Sequence, residues 1–209
     1  MGEQKKETYK TWKDAGADRY LLRHETADPL HYAKLHPGKM SFENRMRCLE
    51  NLKELGYQVG CGFMVGSPKQ TNACLAKDLK FIEQFHPHMV GYGPFISHKD
   101  TPFAKAENGS VELTLFLLAV IRLMNPKVLL PATTALGTLQ EDGRERGILA
   151  GANVCMPNLS PIEVRKKYML YDNKLTSGAE SAEDFENLCK RMENIGYHVV
   201  VHRGDCKGI

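Results

Sequence analysis

The sequence lacks the features of several protein classes. It has no uninterrupted apolar stretch of about 18 residues, so no membrane-spanning helix is predicted. Its N-terminal residues are polar and contain no apolar core of a secretory signal. The 28 Lys and Arg are nearly balanced by 25 Asp and Glu, and a net charge of +3 does not indicate nucleic-acid binding. We therefore expect no membrane or nucleic-acid partner, and a cytoplasmic protein.

Closely spaced cysteines are also lacking. Zinc fingers and iron–sulfur motifs place thiolates about two to five residues apart, whereas no two cysteines here are closer than a dozen residues. We expect scattered reduced thiols and no metal ligands among the cysteines, which are Cys48, Cys61, Cys74, Cys155, Cys189 and Cys206.

The chain does have the composition of an ordinary globular domain. Hydrophobic residues make up 42% and charged residues 25% of its 209 residues, which excludes a disordered chain. Six runs are rich in hydrophobic and β-branched residues, and most are nearly continuous, as in parallel sheets buried on both faces. The predicted strands are Arg19–Glu25, Tyr57–Val65, Met89–Ile96, Lys127–Thr133, Ala152–Pro157 and Tyr197–Val201.

Helices are predicted between these strands from their start and stop signals. A leading helix is predicted over Glu7–Ala17, and the later helices begin at residues that can cap them. The predicted caps are Ser41, Ser110, Thr138 with Glu141, Ser160 with Glu163, and Ser181.

Alternation of strands and helices predicts an α/β fold with a parallel sheet. No GxGxxG follows the first strand, and polar residues follow every strand, which favours a barrel over a doubly wound sheet. Eight units need about 250 residues. We therefore predict a partial (βα)8 TIM-type barrel of one domain, 1–209, with its first strands missing and about five parallel barrel strands plus a terminal strand. A leading helix occupies 1–18, barrel units 19–170, and a C-terminal helix and strand extension 171–209.

The first predicted strand carries two opposite charges near its end. Strand alternation places Leu21, Arg23 and Glu25 on one face. The pair is interpreted either as a structural ion pair or as a ligand-binding site, since buried charge indicates function without proving it. The glycines between Gly60 and Gly66 likewise allow either close approach of a ligand or a tight turn.

Four sequence strings carry a resemblance to a known family: YLLRHET, GFMVGSPKQT, GPFISHKDTPF and PATTALG. Together they resemble the radical S-adenosylmethionine (SAM) superfamily, and within it the FeFe-hydrogenase maturase E family, which is related to biotin synthase. The resemblance extends over roughly residues 8 to 209 in the same order. It implies a radical SAM (βα)8 barrel with SAM and a 4Fe-4S cluster, which generates a 5′-deoxyadenosyl radical for assembly of the diiron unit of the hydrogenase.

The resemblance also implies partners and site residues. The partners are a small-molecule or organometallic iron precursor and other hydrogenase maturation proteins. Glu25 corresponds to the residue that binds the SAM ammonium, and Arg45 to the one that binds its carboxylate. The other implied SAM-binding residues are Gly62, Met64, Gly66, Met89 and Tyr168. The implied substrate-cavity residues are Arg23, Thr133, Thr134, Met156 and Tyr171.

The chain departs from the family in one respect: the CxxxCxxC loop that holds the cluster is absent. We therefore expect no catalytic cysteine and no metal site in this chain, which is interpreted as a C-terminal fragment with unpaired strand edges that favour association. Two alternatives are another biotin-synthase-like enzyme, of the biotin synthase or methylornithine synthase type, and a non-catalytic SAM-binding or scaffold remnant.

Overall fold

The fold was analysed in a computed structural model that describes residues 2–157, 161–165, 185–201 and 203–207. Short strands alternate with helices along the chain. The strands are β1 Arg19–Leu21, β2 Gln58–Cys61, β3 Met64–Val65, β4 Met89–Val90 and β5 Gly93–Pro94. The helices are α1 Lys6–Asp14, α2 Pro29–Leu35, α3 Phe42–Glu54, α4 Asn72–Phe85, α5 Val111–Met124, α6 Thr134–Leu139, α7 Gly143–Leu149, α8 Ile162–Arg165 and α9 Phe185–Asn194.

The strands form a parallel arc in chain order. β1 pairs with β2, and β2 pairs with β4. The arc continues through parallel bridges from Met89 to Leu129 and from Pro131 to Val154. The strand positions are therefore adjacent in the arc in the same order as along the chain, as in a βα barrel. The five predicted parallel barrel positions, from Arg19 to Pro157, are confirmed.

The second and third predicted strands are each interrupted. β2 and β3 are separated by Gly62 and Phe63, and β4 and β5 by Gly91 and Tyr92. A Cβ built on Gly62 would lie 1.9 Å from the Gly91 carbonyl oxygen, so the two backbones approach too closely there for side chains. This approach ends the regular ladder, and pairing resumes between β3 and β5.

The predicted terminal strand Tyr197–Val201 is wrong. These residues form no strand, and Val201 is 88% exposed. The chain instead crosses the starting ends of β1 and β2, where the Asp205 carboxylate accepts hydrogen bonds from Arg19 (2.5 Å) and Gln58 (2.8 Å). Val200 and Val201 are 68% and 88% exposed, so β propensity alone, without a buried edge to pack against, does not make these residues a strand.

Several predicted helix boundaries are confirmed. The hydroxyl of Ser41 accepts from Asn44 N–H at the start of α3, and that of Ser110 accepts from Leu113 N–H at the start of α5. The leading helix is present as α1, which ends at Asp14.

The predicted cap at Thr138 with Glu141 is wrong, because Thr138 lies inside α6 and its hydroxyl donates to the Thr134 carbonyl. The predicted caps Ser160 and Ser181 lie outside the described residues. The short helix α2 was not predicted, although Asp28 caps it and Pro29 occupies its first turn.

The core lies between the strands and the helices that cover them. Tyr20, Leu22 and His24 are buried on the helix side of β1 and its continuation, whereas Leu21 on the opposite face is 47% exposed. This confirms the predicted alternation along the first strand. No helix in the described ranges is long and apolar enough to cross a membrane.

We predict that Gly62→Ala lowers the free energy of unfolding by about 1–3 kcal/mol, because the new methyl group would overlap the Gly91 carbonyl. Urea denaturation followed by circular dichroism measures this change. Gly38→Ala is the matched control, since a Cβ at Gly38 meets nothing within 4 Å. Equal stability of the two variants would contradict the close approach of the two backbones.

Candidate active site

A buried histidine–aspartate pair lies where the first strand position ends. His24 and Asp78 of α4 are both fully buried, and the His24 Nε2 lies 3.2 Å from Asp78 Oδ1. The Gly62 backbone N–H donates to His24 Nδ1 (3.2 Å), so the ring proton is on Nε2 and is donated to Asp78. Asp78 Oδ1 also accepts from the Ala27 N–H. These bonds fix the turn that contains Glu25.

Glu25 has a strained backbone in this turn. Its φ is +69°, a left-handed conformation that costs a residue other than glycine about 1–3 kcal/mol. The Glu25 N–H donates to the Gly62 carbonyl at 2.9 Å, which continues the pairing between the first two strand positions. The side chain is 18% exposed and lines a cavity at the carboxyl ends of the strands. Strain at such a position indicates a functional residue.

Arg23 lies beside Glu25 on the same cavity wall. Its Nη2 donates to the Phe63 carbonyl (2.5 Å) and lies 3.6 Å from Glu25 Oε2, while its Nε is buried without a hydrogen-bond partner. The two interpretations of the charged pair are therefore compatible. Arg23 and Glu25 form an ion pair, and both side chains face space that a ligand can enter.

The cavity has a volume of about 530 Å³, a usual size for a small-molecule site. Five segments line it: the end of the first strand position, β3, β5 with the loop that follows it, the start of α6 with the residues before it, and the end of the fifth strand position. Six sequence-predicted residues line it, which are Arg23, Glu25, Met64, Thr133, Thr134 and Met156. The other lining residues are Gly93, Pro94, Phe95, Ile96, His98, Thr101, Phe103, Ala132 and Ala135.

Thr133 offers this cavity a hydroxyl group. It is the N-cap residue of α6, but its side chain makes no capping hydrogen bond. Its Oγ1 is buried and has no hydrogen-bond partner. Because buried polar groups are nearly always hydrogen-bonded, this hydroxyl is suited to bind a ligand.

Arg45 lies behind the cavity wall, in the first turn of α3, and is not among the lining residues. Its Nε lies 2.6 Å from Glu3 Oε1, and its Nη1 donates to the Arg23 carbonyl at 3.0 Å. The Arg45 side chain is only 11% exposed. The structure thus links it to the Arg23–Glu25 wall through the backbone rather than through a side-chain pair.

Two residues of the α2 region, Tyr32 and His36, were missed by sequence reasoning. The Tyr32 hydroxyl and the His36 Nε2 are buried without hydrogen-bond partners. Burial raises the pKa of Tyr32 and lowers that of His36, and the Arg45 guanidinium and Glu25 carboxylate are close enough to influence both. The sequence could have indicated both residues through the helix cap at Asp28, because a helix that starts there places positions 32 and 36 on the same face.

The remaining predicted SAM-binding residues either do not line the cavity or lie outside the described residues. A Cβ on Gly66 would lie 2.5 Å from the Gly109 Cα, and Gly62 approaches Gly91, so backbone packing accounts for both glycines. Met89 is half-buried in β4, away from the lining of the cavity. Tyr168 and Tyr171 lie outside the described residues.

The described residues do not supply ligands for a metal cluster. No three His, Cys, Asp or Glu side chains within these ranges are grouped so that they could hold a metal ion. All six cysteines lie within the described residues, and Cys48, Cys61 and Cys74 are buried. Burial raises the pKa of the Cys61 thiol, so it is held as a neutral thiol rather than the thiolate that a cluster needs.

Comparison with known proteins identifies the class. Residues 2–82 match the Radical SAM superfamily, and with the parallel barrel arc and the similarities below they show that the chain belongs to this superfamily. Within it, the chain is 47% identical over 196 residues to the FeFe-hydrogenase maturase subunit HydE of Thermotoga maritima, covering 94% of this chain and 56% of the relative. The resemblance drawn from the sequence strings is confirmed.

Other relatives are more distant. The 3-methylornithine synthase of Methanosarcina acetivorans is 29% identical over 184 residues, which cover 88% of this chain and 51% of the relative. The crystal structure of methylornithine synthase superposes with a TM-score of 0.78 at 26% identity, over 96% of this chain and 57% of that one. This similarity confirms the TIM-type barrel fold. The chain spans about half the length of the relatives it matches.

We predict that this chain, reconstituted anaerobically with iron and sulfide, holds no stoichiometric 4Fe-4S cluster, because its cysteines do not form a three-thiolate set. Iron and sulfide analysis with electron paramagnetic resonance of the reduced sample measures cluster content. A signal equal to one cluster per chain would show that the ligand count is wrong.

Proposed function

We propose that this chain forms the SAM-binding and substrate-binding part of a radical SAM enzyme that assembles the diiron unit of FeFe-hydrogenase. The observation that carries the proposal is the charged wall of Arg23 and Glu25, with Arg45 bonded behind it, at the edge of the cavity. The methylornithine synthase structure shares this barrel, and the hydrogenase maturase is similar in sequence over 94% of this chain. The higher identity to the maturase favours hydrogenase maturation.

The residues proposed for SAM carry charges of both signs, with Glu25 on the cavity wall and Arg45 behind it. Its amino-acid end carries an ammonium and a carboxylate, and Glu25 and Arg45 supply one group of opposite charge for each. Charge-assisted hydrogen bonds of this kind are the strong ones, and partial burial of both side chains limits competition from water. The unpartnered Tyr32 hydroxyl is a further polar group near these two charges. Met64 lines the cavity and is the proposed contact of the nucleoside.

When bound, SAM supplies radical chemistry, and the residues of this chain bind and shield the reactants. Phe95, Ile96 and Phe103 give the cavity an apolar wall that excludes water. Arg23 offers its Nε–H group to a substrate, and Thr133 offers its hydroxyl from another part of the cavity wall. Arg23, Thr133, Thr134 and Met156 thus form the substrate side of the cavity, for a small-molecule or organometallic iron precursor.

The remaining elements of the proposal concern the whole protein. The 4Fe-4S cluster that the superfamily implies requires thiolates from outside this chain. Other hydrogenase maturation proteins are the proposed partners. We further propose that residues 1–209 act as one domain.

We predict that Glu25→Gln and Arg45→Ala each weaken SAM binding by about 1.5–3 kcal/mol, the contribution of a charged hydrogen bond. Isothermal titration calorimetry on this chain measures the affinity. Glu50→Gln, on an exposed position of α3, is the control and keeps the affinity of the original chain. Unchanged affinity in both site variants would refute the assignment of the two charges.

We predict that Arg23→Ala and Thr133→Val keep SAM affinity within about twofold, because they bind substrate and not SAM. In a chain completed with a cluster-binding half, both variants should still cleave SAM but lose hydrogenase maturation. The two readouts are titration calorimetry and hydrogen evolution by the matured hydrogenase. If Arg23→Ala loses SAM cleavage at normal cluster content, Arg23 binds SAM rather than the substrate.

A further inference from the structure

We infer that Glu3 is a positioning residue for the SAM carboxylate and acts through Arg45. This inference rests on the proposed SAM site and adds a residue that the sequence resemblance does not include. Glu3 Oε1 lies 2.6 Å from Arg45 Nε, and both side chains are largely buried, at 18% and 11% exposure. A buried carboxylate at that distance restricts the rotation of the guanidinium.

The other contacts of Arg45 complete its orientation. Nη1 donates to the Arg23 carbonyl at 3.0 Å, while the Nε edge faces the Glu3 carboxylate in an ion pair that lacks hydrogen-bond geometry. Arginine presents five N–H donors in one rigid plane. With Nε paired to Glu3 and Nη1 bonded to the backbone, the plane of the guanidinium is restricted before a ligand carboxylate binds.

Glu3 itself is held firmly enough to serve this role. The amide of Asn44, the residue before Arg45, donates to Glu3 Oε2. The flanking backbone is bonded to buried tyrosines: the Tyr9 and Tyr20 hydroxyls donate to the Gly2 carbonyl (3.1 and 2.7 Å), and Gln4 N–H donates to the Tyr9 oxygen (2.9 Å). Glu3 is therefore part of the packed structure.

A positioning role lowers the entropic cost of binding. A free arginine side chain loses about 2 kcal/mol of rotamer freedom when a ligand fixes it. The Glu3 carboxylate fixes Arg45 before the ligand arrives, so less freedom is lost on binding. Glutamine at position 3 keeps the shape but lacks the charge that holds Nε.

The test uses three ligands that differ at the amino-acid end. SAM and S-adenosylhomocysteine carry the carboxylate, whereas 5′-methylthioadenosine lacks the whole amino-acid moiety. We expect Glu3→Gln to weaken SAM and S-adenosylhomocysteine about tenfold, the scale of coupling between residues in contact, and to leave 5′-methylthioadenosine unchanged. Calorimetric titration of this chain gives the three affinities, with Glu50→Gln as the exposed control on α3.

A double variant separates positioning from a structural role. Because Glu3 acts through Arg45, Glu3→Gln should cause no further loss of SAM affinity when Arg45 is already alanine. An equal loss for all three ligands, or a loss that persists without Arg45, would overturn the inference. Tighter SAM binding by Glu3→Gln would also overturn it, since Glu3 would then compete with the ligand carboxylate.

The failure of the proposed function has a different signature. If the original chain binds 5′-methylthioadenosine and binds SAM no better, the Glu25 and Arg45 assignments fail, and the inference fails with them. If SAM gains affinity over 5′-methylthioadenosine but Glu3→Gln keeps that gain, only the role of Glu3 is wrong.

Discussion

The buried hydrogen bond between His24 and Asp78 is the interaction on which the site depends. It joins the end of the first strand position to α4, and both partners are fully buried. Removing one member of such a pair leaves an unpaired polar group in the core, which is strongly destabilising. The same pair receives the N–H groups of Gly62 and Ala27, so it also aligns the neighbouring strand and starts the turn.

Because this turn is fixed from its buried side, its other side can carry groups that do not favour folding. Glu25 keeps a left-handed backbone, and Arg23 keeps an unpartnered Nε. Across the cavity, Thr133 leaves its hydroxyl unused as a cap. Polar groups of this kind at the carboxyl ends of barrel strands are typical of binding sites, whereas the helix side of the same strands provides stability.

Local patterns predicted much of the fold. Alternation of side chains placed Arg23 and Glu25 on the face opposite His24, and the hydroxyls of Ser41 and Ser110 marked two helix starts. These features depend on neighbours within a few residues. Barrel topology followed from the order of strands and helices, and the superfamily from the sequence strings.

Contacts between distant residues could not be predicted in this way. The breaks at Gly62 and Gly91 arise because two backbones meet, and the predicted strand after α9 does not form because Val200 and Val201 are exposed. Glu3 joins Arg45 across 42 positions, which no local pattern indicates. The roles given to Gly66 and Met89 came from resemblance alone, and the geometry of this chain places neither on the cavity wall.

The segment that crosses the starting ends of β1 and β2 has a consequence for the kinetics of folding. Asp205 bonds to Arg19, a separation of 186 residues, and the Cys206 thiol lies 3.4 Å from the Lys127 carbonyl. Contacts of such high sequence separation close large loops. They form late, because the chain loses the entropy of loop closure before the contacts can stabilise the fold. During synthesis, the strands and the cavity can therefore assemble while this end of the barrel is still open. Closure of that end therefore follows assembly of the strands and of the cavity.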